Sequence, residues 1–346
     1  MTTYPGQHRI NLMKIVVHLP RTLGASLLAV PCVKSLQENF PAARITLISE
    51  ESLVNLLATL LPEFQVIALP DIKDITGLQK NAGRVKEMGF DLALLLEESL
   101  ASALLFYLAR VPQRWGYDRE GRGFMLTRKV RLRASDPRLH LKHHYLKLLE
   151  KFGLKINDRP VYLKLPETQL IAAKQKLVGA GVDPASGYVV IKPGSSYGPA
   201  RSWPLENQLA LVSLLQDKNI PLILVGSTSS AAFGHSIKSE LDGRVVNFCG
   251  QLSLEETAGV IALATLFLGN DSGLTQLANF LGVPVVGLFG PTDPRVCGPC
   301  QPPAVVLHKA APCAPCSYKN CPYDHRCLKN ISPAEIFEVI SGFISR

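Results

Sequence analysis

The chain has 346 residues, 47% hydrophobic and 19% charged, a globular mixture that excludes wholesale disorder and, by size, a disulfide-stapled mini-protein. At roughly 150 residues per domain the length predicts two domains, each large enough to bury a core. The formal charge of +9 is lopsided: residues 1–165 hold 24 Lys+Arg against 15 Asp+Glu, residues 166–346 hold 13 of each, and residues 110–164 alone hold 15 basic against 5 acidic residues. Such a patch favours an anionic partner (nucleic acid, anionic lipid or a phosphorylated glycan), although a charge run is more often a solvated surface. No run reaches the about 18 apolar residues that span a bilayer, since Leu92–Ala109 is broken by Glu97 and Glu98. No secretory signal is evident, because Ile15-Val16-Val17 meets His18, Pro20 and Arg21. A soluble, cytoplasmic chain is expected, starting naturally at Met13, with residues 1–12 a loose leader.

In chain order, Lys14–Leu19 is an apolar strand ending at Pro20, and a turn with Gly24 leads into a helix over Ala25–Phe40. Strand Ile45–Ile48, helix Ser52–Leu61, strand Phe64–Leu69, strand Asp91–Leu96 and helix Ser99–Ala109 follow. The pattern breaks between Arg110 and Asp136, and His140–Phe152 is again helical. Pro160–Glu167 reads as a connection between domains. A second array begins at strand Tyr188–Ile191, followed by helix Leu205–Gln216, strand Pro221–Val225, helix Ser229–Leu241 and strand Val245–Phe248. Helix Ser253–Ala264 opens with Ser253 and Glu256 at capping-box spacing. Strand Leu266–Leu268, helix Ser272–Leu281, strand Pro284–Phe289 and a last helix Ser332–Ile344 complete it. Apolar strands alternating with helices predict parallel sheets covered on both faces. Two such domains, 13–165 and 166–346, imply a cleft beyond the carboxyl ends of their strands.

Three strand-to-helix turns carry chemistry. Pro193-Gly194-Ser195-Ser196-Tyr197-Gly198 offers backbone N–H groups and hydroxyls to a phosphate, with Lys192 and Arg201 near enough to neutralise it. Taken alone it is more often an ordinary turn before Trp203-Pro204. Gly269-Asn270-Asp271-Ser272-Gly273 joins an apolar strand to a helix; Asp271 or Ser272 makes a sound N-cap, and the helix N-terminus suits an anion. Gly290-Pro291-Thr292-Asp293-Pro294 ends the neighbouring strand and would line the same cleft. No GxGxxG, P-loop, G-x-S-x-G or HExxH pattern is present.

Six of the eight cysteines fall between 297 and 327. Cys297-x2-Cys300 and Cys313-x2-Cys316, with Cys321 and Cys327, fit a structural zinc site and fit unligated thiols equally well. Cys32 and Cys249 lie in apolar contexts and read as core. His140, His143 and His144 read as a solvated helix face.

In order along the chain, the motifs resemble the ADP-heptose:lipopolysaccharide heptosyltransferases of glycosyltransferase family 9, closest to the heptosyltransferase II type. The matching stretches are Lys14-Ile-Val-Val-His-Leu-Pro with Leu23-Gly24, Ser99-Leu-Ala-Ser-Ala-Leu with Val111-Pro-Gln-Arg-Trp-Gly-Tyr and Glu120-Gly-Arg-Gly-Phe, Pro193-Gly-Ser-Ser-Tyr-Gly-Pro-Ala-Arg-Ser-Trp-Pro, Gly269-Asn-Asp-Ser-Gly-Leu, Leu288-Phe-Gly-Pro-Thr-Asp-Pro, and the cysteine cluster ending Cys327-Leu. The resemblance implies a GT-B fold, α/β, with two Rossmann-like domains and parallel sheets facing a central cleft. It implies inverting transfer of heptose from ADP-heptose to an anionic Kdo-lipid A type acceptor, held by the basic first half. It assigns the donor to Ser195, Ser196, Arg201, Asp271, Ser272 and Gly273, with no metal or other cofactor required; any zinc at Cys313, Cys316, Cys321 and Cys327 would be structural. Peripheral contact with the cytoplasmic face of the inner membrane would follow from a lipid acceptor.

Two departures from the family pattern stand out. The family's early turn usually reads Gly-Asp, with Asp the proposed base, and here it reads Gly24-Ala25; where His often follows the Asp-Ser/Thr-Gly motif, this chain has Gln276. Loss of a general base costs about 10²–10⁴ in rate. Glu97, Glu98 and His18, each near a strand end, remain as candidates. The alternative function is a catalytically weakened family member that binds nucleotide sugar or glycan. A basic zinc-ribbon nucleic-acid binder is disfavoured, because the basic excess and the cysteines lie in different halves and aromatics are only 7%.

Overall fold

The computed structural model describes residues 12–70, 74–132, 138–240 and 245–344. The first half runs β1 (Lys14–His18), α1 (Leu23–Asn39), β2 (Arg44–Ser49), α2 (Glu51–Leu60), β3 (Gln65–Ala68), α3 (Ile75–Met88), β4 (Leu92–Leu95), α4 (Leu100–Leu108), β5 (Gln113–Tyr117), β6 (Arg128–Val130) and α5 (Leu141–Lys151). The second runs α6 (Glu167–Gly179), β7 (Val189–Lys192), α7 (Leu205–Gln216), β8 (Leu222–Leu224), α8 (Ala231–Glu240), β9 (Val245–Asn247), α9 (Leu254–Ala262), β10 (Leu266–Asn270), α10 (Gly273–Phe280), β11 (Val285–Phe289), α11 (Pro294–Cys297), β12 (Ala304–His308), α12 (Arg326–Lys329) and α13 (Pro333–Ile344).

Each half builds a six-stranded parallel sheet, ordered β3-β2-β1-β4-β5-β6 and β12-β11-β10-β7-β8-β9. Both are the doubly wound arrangement, with strand order reversing beside the first strand. The apolar strand runs exist because helices cover both faces: Ile15, Val16 and Val17, and likewise Val189 and Val190, are fully buried. The two switch points, β1/β4 and β7/β10, are where a crevice opens and ligands bind.

One hydrophobic cluster runs through both halves, from Leu27 and Tyr145 to Leu274, Leu277 and Val285. The segment between α5 and α6 is pinned to the second half. Leu163 N–H donates to the Phe280 carbonyl at 2.7 Å, and the Gln301 side chain bonds both Val161 N–H and its carbonyl, at 2.9 Å each.

Several elements differ from the sequence reading. The break after Arg110 contains β5 and β6, a helix (α3) fills the gap before β4, and β12 extends the second sheet. The second half begins with α6, which packs on α9, and not with the strand at Tyr188. The expected leader, apart from Leu12, lies outside the described residues.

Candidate functional site

β1 delivers the chain to the turn at Pro20–Thr22, where the Thr22 hydroxyl caps α1 by accepting from Ala25 N–H at 3.4 Å. Across from it, Ser272 caps α10 by accepting from Thr275 N–H at 3.3 Å. The two helix N-termini meet. A Cβ on Gly273 would stand 2.9 Å from the Leu23 Cβ and 3.3 Å from Gly24 N, so only glycine allows this approach. Two helix dipoles thus turn their positive ends toward one space.

That space is a cleft of about 930 Å³ between the halves. Ser195, Ser196, Arg201, Asp271, Ser272 and Gly273 all line it, and so do Ala25, Gln276 and Thr292. The structure therefore brings together every residue expected to hold a donor.

The turn after β7 is braced from several sides. Gln208 donates to the Pro193 carbonyl at 2.9 Å, Tyr197 O–H to the Ser317 carbonyl at 2.7 Å, and Ala200 N–H to the Lys319 carbonyl at 3.0 Å. Gly198, at φ +152°, leaves no room for a Cβ beside that same Lys319 carbonyl. Ser196 and Ser227 share a hydroxyl contact of 3.2 Å.

The Arg201 guanidinium carbon lies over the Tyr197 ring, 3.8 Å from its centroid, and the side chain pairs with Asp271 at 3.3 Å. Its Nε is buried without a hydrogen-bond partner. Burial raises the Asp271 carboxyl, against the pull of Arg201, Thr292, Cys297 and Lys192. Lys192, nearly buried, donates to the Gly194 carbonyl and is pushed down to about 8 by burial. Burial, and then the Asp271 charge, pushes the Cys297 thiol up to about 12. The cleft is thus lined by three cationic side chains, Arg21, Lys192 and Arg201, against one carboxylate, and fits a diphosphate.

A second hollow of about 600 Å³, lined by Pro20, Glu97, Glu98, Arg119, Arg138 and His144 among others, adjoins the cleft. The two meet along Pro20–Arg21, at Leu141 and along Val296–Cys297. Glu98 is held there by His144 at 2.5 Å and Arg119 at 3.1 Å. His144 also stacks on Tyr117, ring centroids 4.2 Å apart, and His140 bonds the Gly298 carbonyl at 3.0 Å. The expectation of a solvated histidine face is corrected for both, since neighbouring elements cover this part of α5; His143 pairs with Asp158 at 3.1 Å. His18 bonds the Ser102 hydroxyl at 2.7 Å and is pushed down to about 4 by burial, then by Arg122 and Arg21.

Of the two readings of the cysteine-rich segment, zinc gains no support: among the described residues no three His, Cys, Asp or Glu side chains gather as a metal-ligand set, and Cys313, Cys316, Cys321 and Cys327 are free thiols. The segment instead props the donor-side turns. Cys316 N–H donates to the Pro291 carbonyl at 2.7 Å, and a Cβ on Gly290 would meet Leu328 and the Cys327 sulfur at 2.7 and 2.9 Å. Cys32 and Cys249 are buried, as expected.

Three features of the site are not foreseen from the sequence: the Tyr197 ring under Arg201, Cys297 at the cleft wall and the Glu98–His144–Arg119 group. Only the first had a local signal, an aromatic residue four positions before the arginine.

Comparisons with known proteins give the family and the fold. The profile of glycosyltransferase family 9 (heptosyltransferase) matches residues 79–326. The chain is 26% identical to lipooligosaccharide heptosyltransferase 2 of Haemophilus ducreyi, over 85% of this chain and 88% of that protein. It is 25% identical to lipopolysaccharide heptosyltransferase 2 of Salmonella typhimurium, over 96% and 99%. The solved structure of the E. coli ADP-heptose lps heptosyltransferase II superposes with a TM-score of 0.82 at 24% identity, covering 96% of this chain and 99% of that one.

Proposed function

The chain belongs to glycosyltransferase family 9, the heptosyltransferases, and from that premise we propose that it moves heptose from ADP-heptose to the inner core of lipopolysaccharide, with inversion. The observation that carries the reading is the convergence of Ser195, Ser196, Arg201, Asp271, Ser272 and Gly273 on one cleft between two doubly wound sheets. We assign the donor to residues 166–346 and the acceptor to residues 13–165.

The chemistry follows from the groups at hand. The diphosphate would lie against the α10 N-terminus and the hydroxyls of Ser195 and Ser196. As the anomeric C–O bond breaks, negative charge grows on the departing phosphate. The Arg201 guanidinium, with its free Nε, and the Lys192 ammonium stabilise that charge more than the ground state. The acceptor would approach from the hollow beside Glu97 and Glu98, where Arg119 and Arg138 suit an anionic glycan. In-line attack by its hydroxyl on the face opposite the leaving group gives inversion.

We extend the reading to peripheral contact with the cytoplasmic face of the inner membrane. Support comes from the basic excess in residues 110–164, from Phe124, which is 74% exposed, and from a lipid-borne acceptor. Among the described residues no helix is long and apolar enough to cross a membrane.

The test is ADP release with ADP-heptose and a Kdo-lipid A acceptor. The proposal predicts release that needs both substrates and falls at least tenfold in Arg201→Ala. Donor binding without release, in wild type and Ala25→Asp alike, would replace it with the reading of a non-catalytic binder.

A further inference from the structure

We propose that Glu97 is the general base of the transfer; the inference rests on the transferase reading above. The position expected to hold a base is Ala25, whose methyl group lines the cleft and cannot accept a proton. Some other group must take the proton from the acceptor hydroxyl, and it must line the hollow through which the acceptor approaches.

Three groups compete, and their surroundings separate them. His18 is bonded to Ser102 and held near 4, which leaves it a weak base, and it lines neither hollow. Glu98 lines the acceptor hollow, yet both its oxygens are engaged: Oε1 by His144 and Oε2 by Arg119. Accepting a proton there would break a charge-assisted contact that the fold has already made. Glu97 lines the same hollow and is half-buried. Its carboxylate makes no hydrogen bond or ion pair among the described residues.

The backbone of Glu97, by contrast, is fixed. Its N–H donates to the His18 carbonyl at 3.1 Å, and its carbonyl accepts from buried Arg122 at 2.6 Å. Arg122 has no exposed surface and also binds the carbonyls of Tyr117 at 2.9 Å and Ser99 at 3.1 Å. A guanidinium with four carbonyl partners, Leu95 at 3.5 Å being the fourth, holds this turn rigid at the end of β4. The turn sits beside the end of β1, from which Pro20–Thr22 leads directly to Ala25. A carboxylate without a partner among the described residues, on a rigid turn at the carboxyl edge of the sheet and at a switch point, is the arrangement a base requires.

The step balances simply. Glu97 takes the acceptor hydroxyl's proton as its oxygen bonds to the anomeric carbon. The anomeric C–O bond to the diphosphate breaks, ADP leaves with the electron pair, and the proton passes from Glu97 to water.

The experiment compares wild type, Glu97→Gln and the double variant Glu97→Gln with Ala25→Asp. ADP release gives kcat, ADP binding by calorimetry reports the donor site, and a thermal melt reports folding. The proposal predicts that Glu97→Gln lowers kcat by about 10²–10⁴ with ADP affinity and melt within error of wild type. It predicts that adding Ala25→Asp restores at least a tenth of the rate. A Glu97→Gln variant within tenfold of an active wild type would overturn the base alone. A folded wild type without turnover would overturn the transferase reading, and the base with it.

Discussion

Single side chains set the pH behaviour of the protein. Lys192 sits at about 8, against 10.5 for an unburied lysine. Only its protonated form attracts a diphosphate, so ADP affinity is expected to fall as pH rises through about 8. Lys192→Met should bind ADP more weakly at pH 7 and lose that pH dependence, which calorimetry between pH 6.5 and 9 would check. For His18, burial lowers the folded value to about 4 from 6.5. The unfolded chain therefore binds the extra proton between these values, and stability is lost as pH falls from about 6.5 toward 4, by up to about 1.4 kcal/mol per pH unit. Urea denaturation of wild type and His18→Asn should show that slope flattened in the variant. Arg201→Lys keeps the charge but loses the fork and the stack on Tyr197. It should weaken ADP binding less than Arg201→Ala does.

At the scale of elements, the tight contact is between α1 and α10. Gly273→Ala places a methyl against the Leu23 Cβ, which cannot swing away because it is fixed to the backbone. The expected loss is about 1–3 kcal/mol in equilibrium unfolding, with weaker ADP binding as the two N-termini are forced apart. The helix α9 is closed by a capping box, Ser253 with Glu256, and Ser253→Ala should cost about 1 kcal/mol in equilibrium unfolding. The capping box, α7 and the apolar central strands were legible from local spacing alone. The missed elements share a physical reason. β5, Gln-Arg-Trp-Gly-Tyr, and β6, Arg-Lys-Val, are short and basic; they are strands because they extend a sheet already nucleated by β1 and β4. α3 buries only Leu78, Asn81, Ala82 and Val85, too thin a stripe to stand out in sequence. The site was legible wherever a turn follows a buried parallel strand. It was hidden where contacts join distant segments, as with His144 and Glu98, 46 residues apart, or Tyr197 and Ser317, 120 apart.

The molecule as a whole is two doubly wound sheets sharing a continuous apolar core along α1, α5 and α10, with polar groups from both halves facing the cleft. A ligand held there stabilises the folded chain by mass action, about 2.7 kcal/mol at a hundredfold excess over Kd. ADP should therefore raise Tm in wild type and much less in Arg201→Ala. The charge asymmetry read from the sequence agrees with the placing of Arg119 and Arg138 in the hollow of the first half. Whether this architecture performs transfer with alanine at position 25 is decided by following ADP release from ADP-heptose in the presence of a Kdo-lipid A acceptor. The account predicts sustained turnover by wild type that requires the acceptor and is lost in Glu97→Gln. Tight ADP binding with no release under the same conditions would contradict it.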